Sequence, residues 1–125
     1  MNLAIIGCGD IGQRHLESVL NLDYKINIFL IDKSVICLDK CKQISLKKKN
    51  FNSYYFAKSI NEIEENFDLV IIATNSEHRF FVLKELYRFK TPRFIILEKF
   101  LFNKLSYFEE AKKLFQLNNT KVWVN

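Results

Sequence analysis

The sequence predicts an α/β fold with a doubly wound, mostly parallel sheet of six strands in the order 3-2-1-4-5-6 and helices on both faces. Three observations carry this expectation. Short apolar runs of strand length alternate with stretches of helical periodicity along the whole chain. The run Leu69-Val-Ile-Ile-Ala73 is apolar at every position, as a strand covered on both faces requires. The first apolar run ends in a glycine loop that leads into an amphipathic stretch. Alternating strands and helices imply right-handed crossovers and a parallel sheet. Six strands fit the doubly wound order.

The elements follow one another without a break. Leu3 to Ile6 reads as the first strand, and apolar Ile11, Leu16, Val19 and Leu20 mark the helix behind it. Lys25 to Ile31 alternates in part, with Ile26, Ile28 and Leu30 set against Lys25, Asn27 and Phe29. Ser34 can then cap a helix running to about Lys48. Tyr54-Tyr55-Phe56 predicts a third strand, and a short helical turn is expected at about Asn61 to Glu65. After the buried fourth strand, Glu77 to Phe89 places Phe81, Leu83 and Leu86 near helical spacing, and Pro92 ends that helix. Arg93 to Glu98 is the fifth strand, Leu105 to Leu117 a helix with Phe108, Ala111, Leu114 and Phe115 inward, and Val122 to Val124 the last strand.

Composition narrows the class. A chain of 125 residues suits one domain, and 49% hydrophobic residues with 14% aromatics give enough apolar surface to exclude disorder. No apolar run approaches the roughly 18 residues that would span a bilayer, and the N-terminus lacks a cationic signal-peptide lead, so a cytoplasmic address is expected. Cys8, Cys37 and Cys41 form neither a disulfide framework nor a metal set, and no metal is expected. The net charge of +5 is concentrated at Lys47-Lys48-Lys49, read as a solvated helix end and not as a nucleic-acid patch.

Gly7-Cys8-Gly9-Asp10-Ile11-Gly12 is G-x-G-x-x-G in the strand-to-helix context that gives the motif meaning. Gly7 allows the tight turn, Gly9 lets the backbone approach a pyrophosphate, and Gly12 lets the helix pack closely on the strand. The amides of Asp10 and Ile11 join these glycines at the helix start, where the dipole favours an anion. All three glycines of the chain lie in this loop. This is the dinucleotide-binding pattern of a Rossmann domain. Asp32, about 20 residues further on at the end of the second strand, is placed to accept bonds from ribose hydroxyls, which favours NAD. NADP is the less favoured cofactor, with Lys33 and Ser34 as its partners, and S-adenosylmethionine is a minor alternative.

Three pieces occur in order: Gly7-Cys-Gly-Asp-Ile-Gly-Gln-Arg-His15, Asp68-Leu-Val-Ile-Ile-Ala-Thr-Asn-Ser-Glu-His78 and Ile95-Ile-Leu-Glu-Lys99. Together they resemble the N-terminal NAD(P)-binding domain of the Gfo/Idh/MocA family, the glucose-fructose oxidoreductases and inositol 2-dehydrogenases. The resemblance implies that Thr74 and Glu98 border the cofactor and that Lys99 stands by the nicotinamide and the reacting hydroxyl as the catalytic residue. Two positions depart from the family pattern, Asn75 and Phe100 standing where it has prolines. His15 and His78 are read as packing or capping residues.

The expectation is a domain over residues 1–125 that holds the cofactor of an oxidoreductase moving hydride between nicotinamide and a sugar, cyclitol or related carbinol. The substrate domain is expected to be missing from this chain, which leaves its own catalysis open. A stand-alone NAD(H)-sensing module is the rival. Expected partners are the dinucleotide and, in the complete protein, a small substrate, without nucleic acid or membrane. Homo-oligomerisation is left open.

Overall fold

The computed structural model describes residues 1–47 and 52–125. Six strands, β1 (Asn2–Ile6), β2 (Asn27–Ile31), β3 (Ser53–Ala57), β4 (Leu69–Ile72), β5 (Phe94–Leu97) and β6 (Lys121–Val124), form one sheet in the order β3-β2-β1-β4-β5-β6. Every pairing is parallel. This is the expected doubly wound sheet. Among the described residues four helices connect it, α1 (Asp10–Val19), α2 (Val35–Leu46), α3 (Ser76–Phe89) and α4 (Leu105–Leu117), and one 3₁₀ turn lies at Ile60–Glu62. The end of the second helix expected at Lys48, and Lys48 and Lys49 of the lysine cluster, lie outside the described residues.

The pleat sorts the core into two halves. Leu3 and Ile5 of β1, Ile28 and Leu30 of β2 and Ile71 of β4 pack with Leu16 and Val19 of α1 and Leu38 and Cys41 of α2. Ala4, Ile6, Phe29, Ile31, Val70 and Ile72 face the other way, onto Phe80, Leu83 and Leu86 of α3 and Ala111 of α4. The alternation read in β2 is therefore corrected. Phe29 is buried as deeply as its neighbours, because helices cover both faces of a central strand.

Two more inward assignments change. Ile11 and Phe81 are exposed, whereas Phe80 and Arg79 of α3 are buried. Phe80 stacks on Tyr107 with ring centroids 4.2 Å apart. A one-residue rotation of the apolar stripe decides this, and the Phe80-Phe81 pair conceals it in the sequence. Phe108 is also exposed, and Ala111 is the buried residue of α4, with Tyr107, Leu114 and Phe115 packed against the same core half.

Capping differs between the helices in a way that bears on the site. The Ser34 hydroxyl accepts from the Cys37 amide at the start of α2, and the Asn75 side chain accepts from the His78 amide at the start of α3. The N-cap of α1 is Gly9, which has no side chain to offer. Its first amides face the carboxyl edge of the sheet without a capping acceptor.

Candidate functional site

The glycine loop is built by close backbone approach. Gly7 has φ of +93° and donates its amide to Ile31 O at 2.9 Å, holding the turn against β2. A Cβ on Gly12 would lie 1.9 Å from Gly7 O, so the helix packs onto the turn at a distance only glycine permits. A Cβ on Gly9 would meet nothing within 4 Å. Gly9 therefore faces open space, over the uncapped start of α1. Asp10 and Ile11 are exposed beside it.

Asp32 fastens the loop from the side. One carboxylate oxygen accepts from the Cys8 amide at 2.6 Å, and the other accepts from the Ser34 amide at 2.8 Å. It thus joins the end of β2, the glycine loop and the start of α2. The Cys8 thiol, hydrogen-bonded to Cys41 and buried, is pushed far above the usual thiol range and stays a neutral packing group. Among the described residues, no group of three or more His, Cys, Asp or Glu side chains is gathered as metal ligands would be.

A crevice of about 490 Å³ opens along the carboxyl ends of β1 to β4. Gly7, Gly9, Asp32 and Thr74 line it, together with Lys33, Lys58 and Ser59 and with His78, Phe81 and Glu85 of α3. Lys58 and Ser59 carry no motif of their own. They could have been found only by asking which loop follows β3, since ligands in such sheets lie beyond the carboxyl ends of the strands. The Thr74 hydroxyl is buried without a hydrogen-bond partner, which is a cost unless a ligand satisfies it.

Glu98 and Lys99 stand apart from this crevice, at the end of β5. The Glu98 carboxylate receives His15 Nε2 of α1 at 2.6 Å and Asn125 Nδ2 at 2.8 Å. His15 is thus tied to a carboxylate. Lys99 is exposed, and the side-chain partner of Glu98 on α1 is His15, with no ion pair from Glu98 to Lys99 among the described residues. The structure divides the expected site residues into a crevice group and a β5 group, the latter tied to α1 through His15.

Glu98 also sets an expectation for acid stability. Burial alone would raise its pKa, but hydrogen bonds from Asn125 and His15 and the nearby charges of His15 and Arg79 outweigh it, leaving the carboxyl below its ordinary value. Its stabilising contribution is therefore complete above the ordinary carboxylate pKa and is lost as pH falls through the depressed folded value. Glu98→Gln should flatten the acid arm of urea-unfolding free energy below about pH 4.5. An acid arm as steep as that of the parent would refute this account.

The model of the oxidoreductase family with an NAD-binding Rossmann fold, GFO_IDH_MocA, matches residues 1–125. The chain belongs to the Gfo/Idh/MocA family. This Gfo/Idh/MocA domain is similar in fold to the WlbA dehydrogenase of Chromobacterium violaceum, solved with NADH and UDP-GlcNAcA, at 16% identity and a TM-score of 0.82, over 100% of this chain and 34% of that one. It is similar to the WlbA dehydrogenase of Bordetella pertussis, also in complex with NADH and UDP-GlcNAcA, at 15% identity and a TM-score of 0.79, over 99% of this chain and 36% of that one. A Gfo/Idh/MocA family oxidoreductase of Vibrio cholerae matches at 16% identity and a TM-score of 0.81, over 100% of this chain and 38% of that one. The Gfo/Idh/MocA chain described here thus spans little more than a third of these structures. A comparison with curated protein sequences finds no match. Among the described residues, no helix is long and apolar enough to cross a membrane.

Proposed function

We propose that this domain binds NAD(H) across the carboxyl edge of its sheet and works with a further, substrate-covering domain as an oxidoreductase acting on a sugar, cyclitol or related carbinol. The observation that carries the reading is the start of α1, where uncapped amides meet open space above Gly9. A pyrophosphate fits that space, because amide donors and the helix dipole both favour an anion. The amides at Asp10 and Ile11 would serve it with Gly7, Gly9 and Gly12. The orphaned Thr74 hydroxyl and the Asp32 carboxylate at the crevice wall fit a ligand bearing hydroxyl groups.

In this reading the crevice holds the adenosine half and the β5 end meets the nicotinamide half. The cofactor supplies hydride chemistry when bound. Asp32 orients the ribose and repels a 2′-phosphate, which favours NAD over NADP, although Lys33 and Lys58 stand beside it. Glu98, held by His15 and Asn125, shapes the nicotinamide side. The Lys99 ammonium would donate to the carbinol oxygen and favour its alkoxide, with the hydroxyl proton passing to a base of the substrate-covering domain and the hydride to the bound nicotinamide. A carbinol substrate is supported by the UDP-sugar in the WlbA complexes and by the exposure of Lys99 at a strand end. A reducing, cytoplasmic setting agrees with three free cysteines.

Titration with NADH, followed by its fluorescence, tests the reading. Gly9→Ala should keep the unfolding midpoint, since its Cβ meets nothing within 4 Å, yet weaken NADH at least about tenfold, or about 1.4 kcal/mol. Failure of the folded parent to bind NADH at millimolar concentration would refute the proposal. In the protein carrying the substrate domain, Lys99→Ala should lower turnover by about a hundredfold with NADH affinity unchanged. Undiminished turnover would remove Lys99 from the reaction.

A further inference from the structure

Arg79 is the most deeply buried charged side chain among the described residues, at 2% exposure. Among the described residues, no carboxylate forms an ion pair with its guanidinium. One terminal nitrogen, Nη2, donates to the carbonyl of Thr74, in the turn after β4. The other, Nη1, donates to the carbonyls of Glu98 and Phe100 and, at 3.1 Å, to Leu101, in the turn after β5. One side chain thus binds the backbone on both sides of Lys99 and the backbone of Thr74 itself.

Such a group costs much to bury. Desolvation pulls the guanidinium below its ordinary pKa, and only the charge of nearby Glu98 opposes this. An apolar residue at this position of α3 would fill the same space without that penalty. Neither turn holds a proline, the single one of the chain being Pro92, and the Arg79 guanidinium is the side-chain group whose hydrogen bonds reach both. A planar fork with donors on two nitrogens spans two turns in one fixed geometry, which the compact, rotatable donors of an ammonium do not reproduce.

We infer that Arg79 is a positioning residue that clamps the turns after β4 and β5 together, so that Thr74 and Lys99 hold their places at the cofactor edge. The inference rests on the dinucleotide reading for what those turns serve, but not for the clamp itself. Arg79 touches neither cofactor nor substrate in this role. It acts through the carbonyls it binds.

Amide hydrogen exchange on Arg79→Met and Arg79→Lys tests it, with NADH affinity measured on the same samples. The Ala73 amide bonds Ile6 O beside the first turn, and the Glu98 amide reaches toward Ile72 O beside the second. Both should exchange at least about tenfold faster in either variant, while the Asp32 and Ser53 amides, which bond across β2 and β3, keep their rates. NADH should bind about tenfold more weakly. In the unsubstituted protein, the Arg79 Nη protons should exchange slowly and the guanidinium should rotate slowly on the NMR timescale.

Acceleration at one turn alone, acceleration everywhere including unfolding of both variants, or a freely rotating guanidinium would overturn the clamp. Loosened turns with unchanged NADH affinity would reduce Arg79 to a structural tie and overturn its positioning role. If the unsubstituted protein binds no NADH, the functional proposal fails, while the exchange rates still decide whether Arg79 joins the two turns.

Discussion

Gly12→Ala is expected to cost about 3 kcal/mol or more of stability, the upper end for inserting a methyl into a packed site, and to abolish NADH binding. The Cβ would fall 1.9 Å from Gly7 O and 2.9 Å from Gly7 C, and both are backbone atoms that no rotamer change can move. Relief requires α1 to shift off β1. That shift would draw Leu16 and Val19 out of the core half they share with Leu3 and Ile5. The urea midpoint should fall with little change in the slope of the transition. A midpoint equal to that of the parent would show that the loop is not built by this contact. The contrast with Gly9→Ala separates the architectural glycine from the one that faces open space.

Asp32→Ala should weaken NADH by about tenfold to a hundredfold, the range for losing hydrogen bonds to a charged group, and NADPH much less. The structure makes the comparison of cofactors essential. Asp32 already accepts from the Cys8 and Ser34 amides, so its removal also loosens the glycine loop. Loosening alone would weaken both cofactors equally. A ribose contact, with relief of repulsion toward a 2′-phosphate, shifts the NADH to NADPH ratio as well. Equal losses would reassign Asp32 to fastening the loop. A preserved midpoint with preserved NADH affinity would deny it both roles.

Much of this molecule was legible in the order of its residues. The parallel sheet follows from strand-length apolar runs alternating with helical ones, and the continuous apolarity of Leu69-Val-Ile-Ile-Ala73 suits a strand covered on both faces. The glycine loop was legible because its chemistry is local: glycines at fixed spacing between a strand and a helix supply the positive φ at Gly7 and the close approach at Gly12 that the turn needs. Ser34 was likewise readable as a cap, since a cap acts within one turn. Helix faces were less so. Phe80 and Phe81 are equally apolar, and only the packing of α3 on the sheet and on Tyr107 decides which is buried.

The sequence by itself determined the fold class, the strand order and the place of the glycine loop, because periodicity and glycine spacing are short-range properties of the chain. Only the tertiary structure decided what surrounds them. It joined His15 to Glu98 across 83 positions, brought Lys58 and Ser59 to the wall beside Asp32, and turned Arg79 inward to bind two turns. Nothing in the local pattern marks an arginine for burial, since its partners are backbone carbonyls that every residue carries. Such pairings exist only once the β4 and β5 ends lie side by side, and that proximity belongs to the sheet and not to any segment of it.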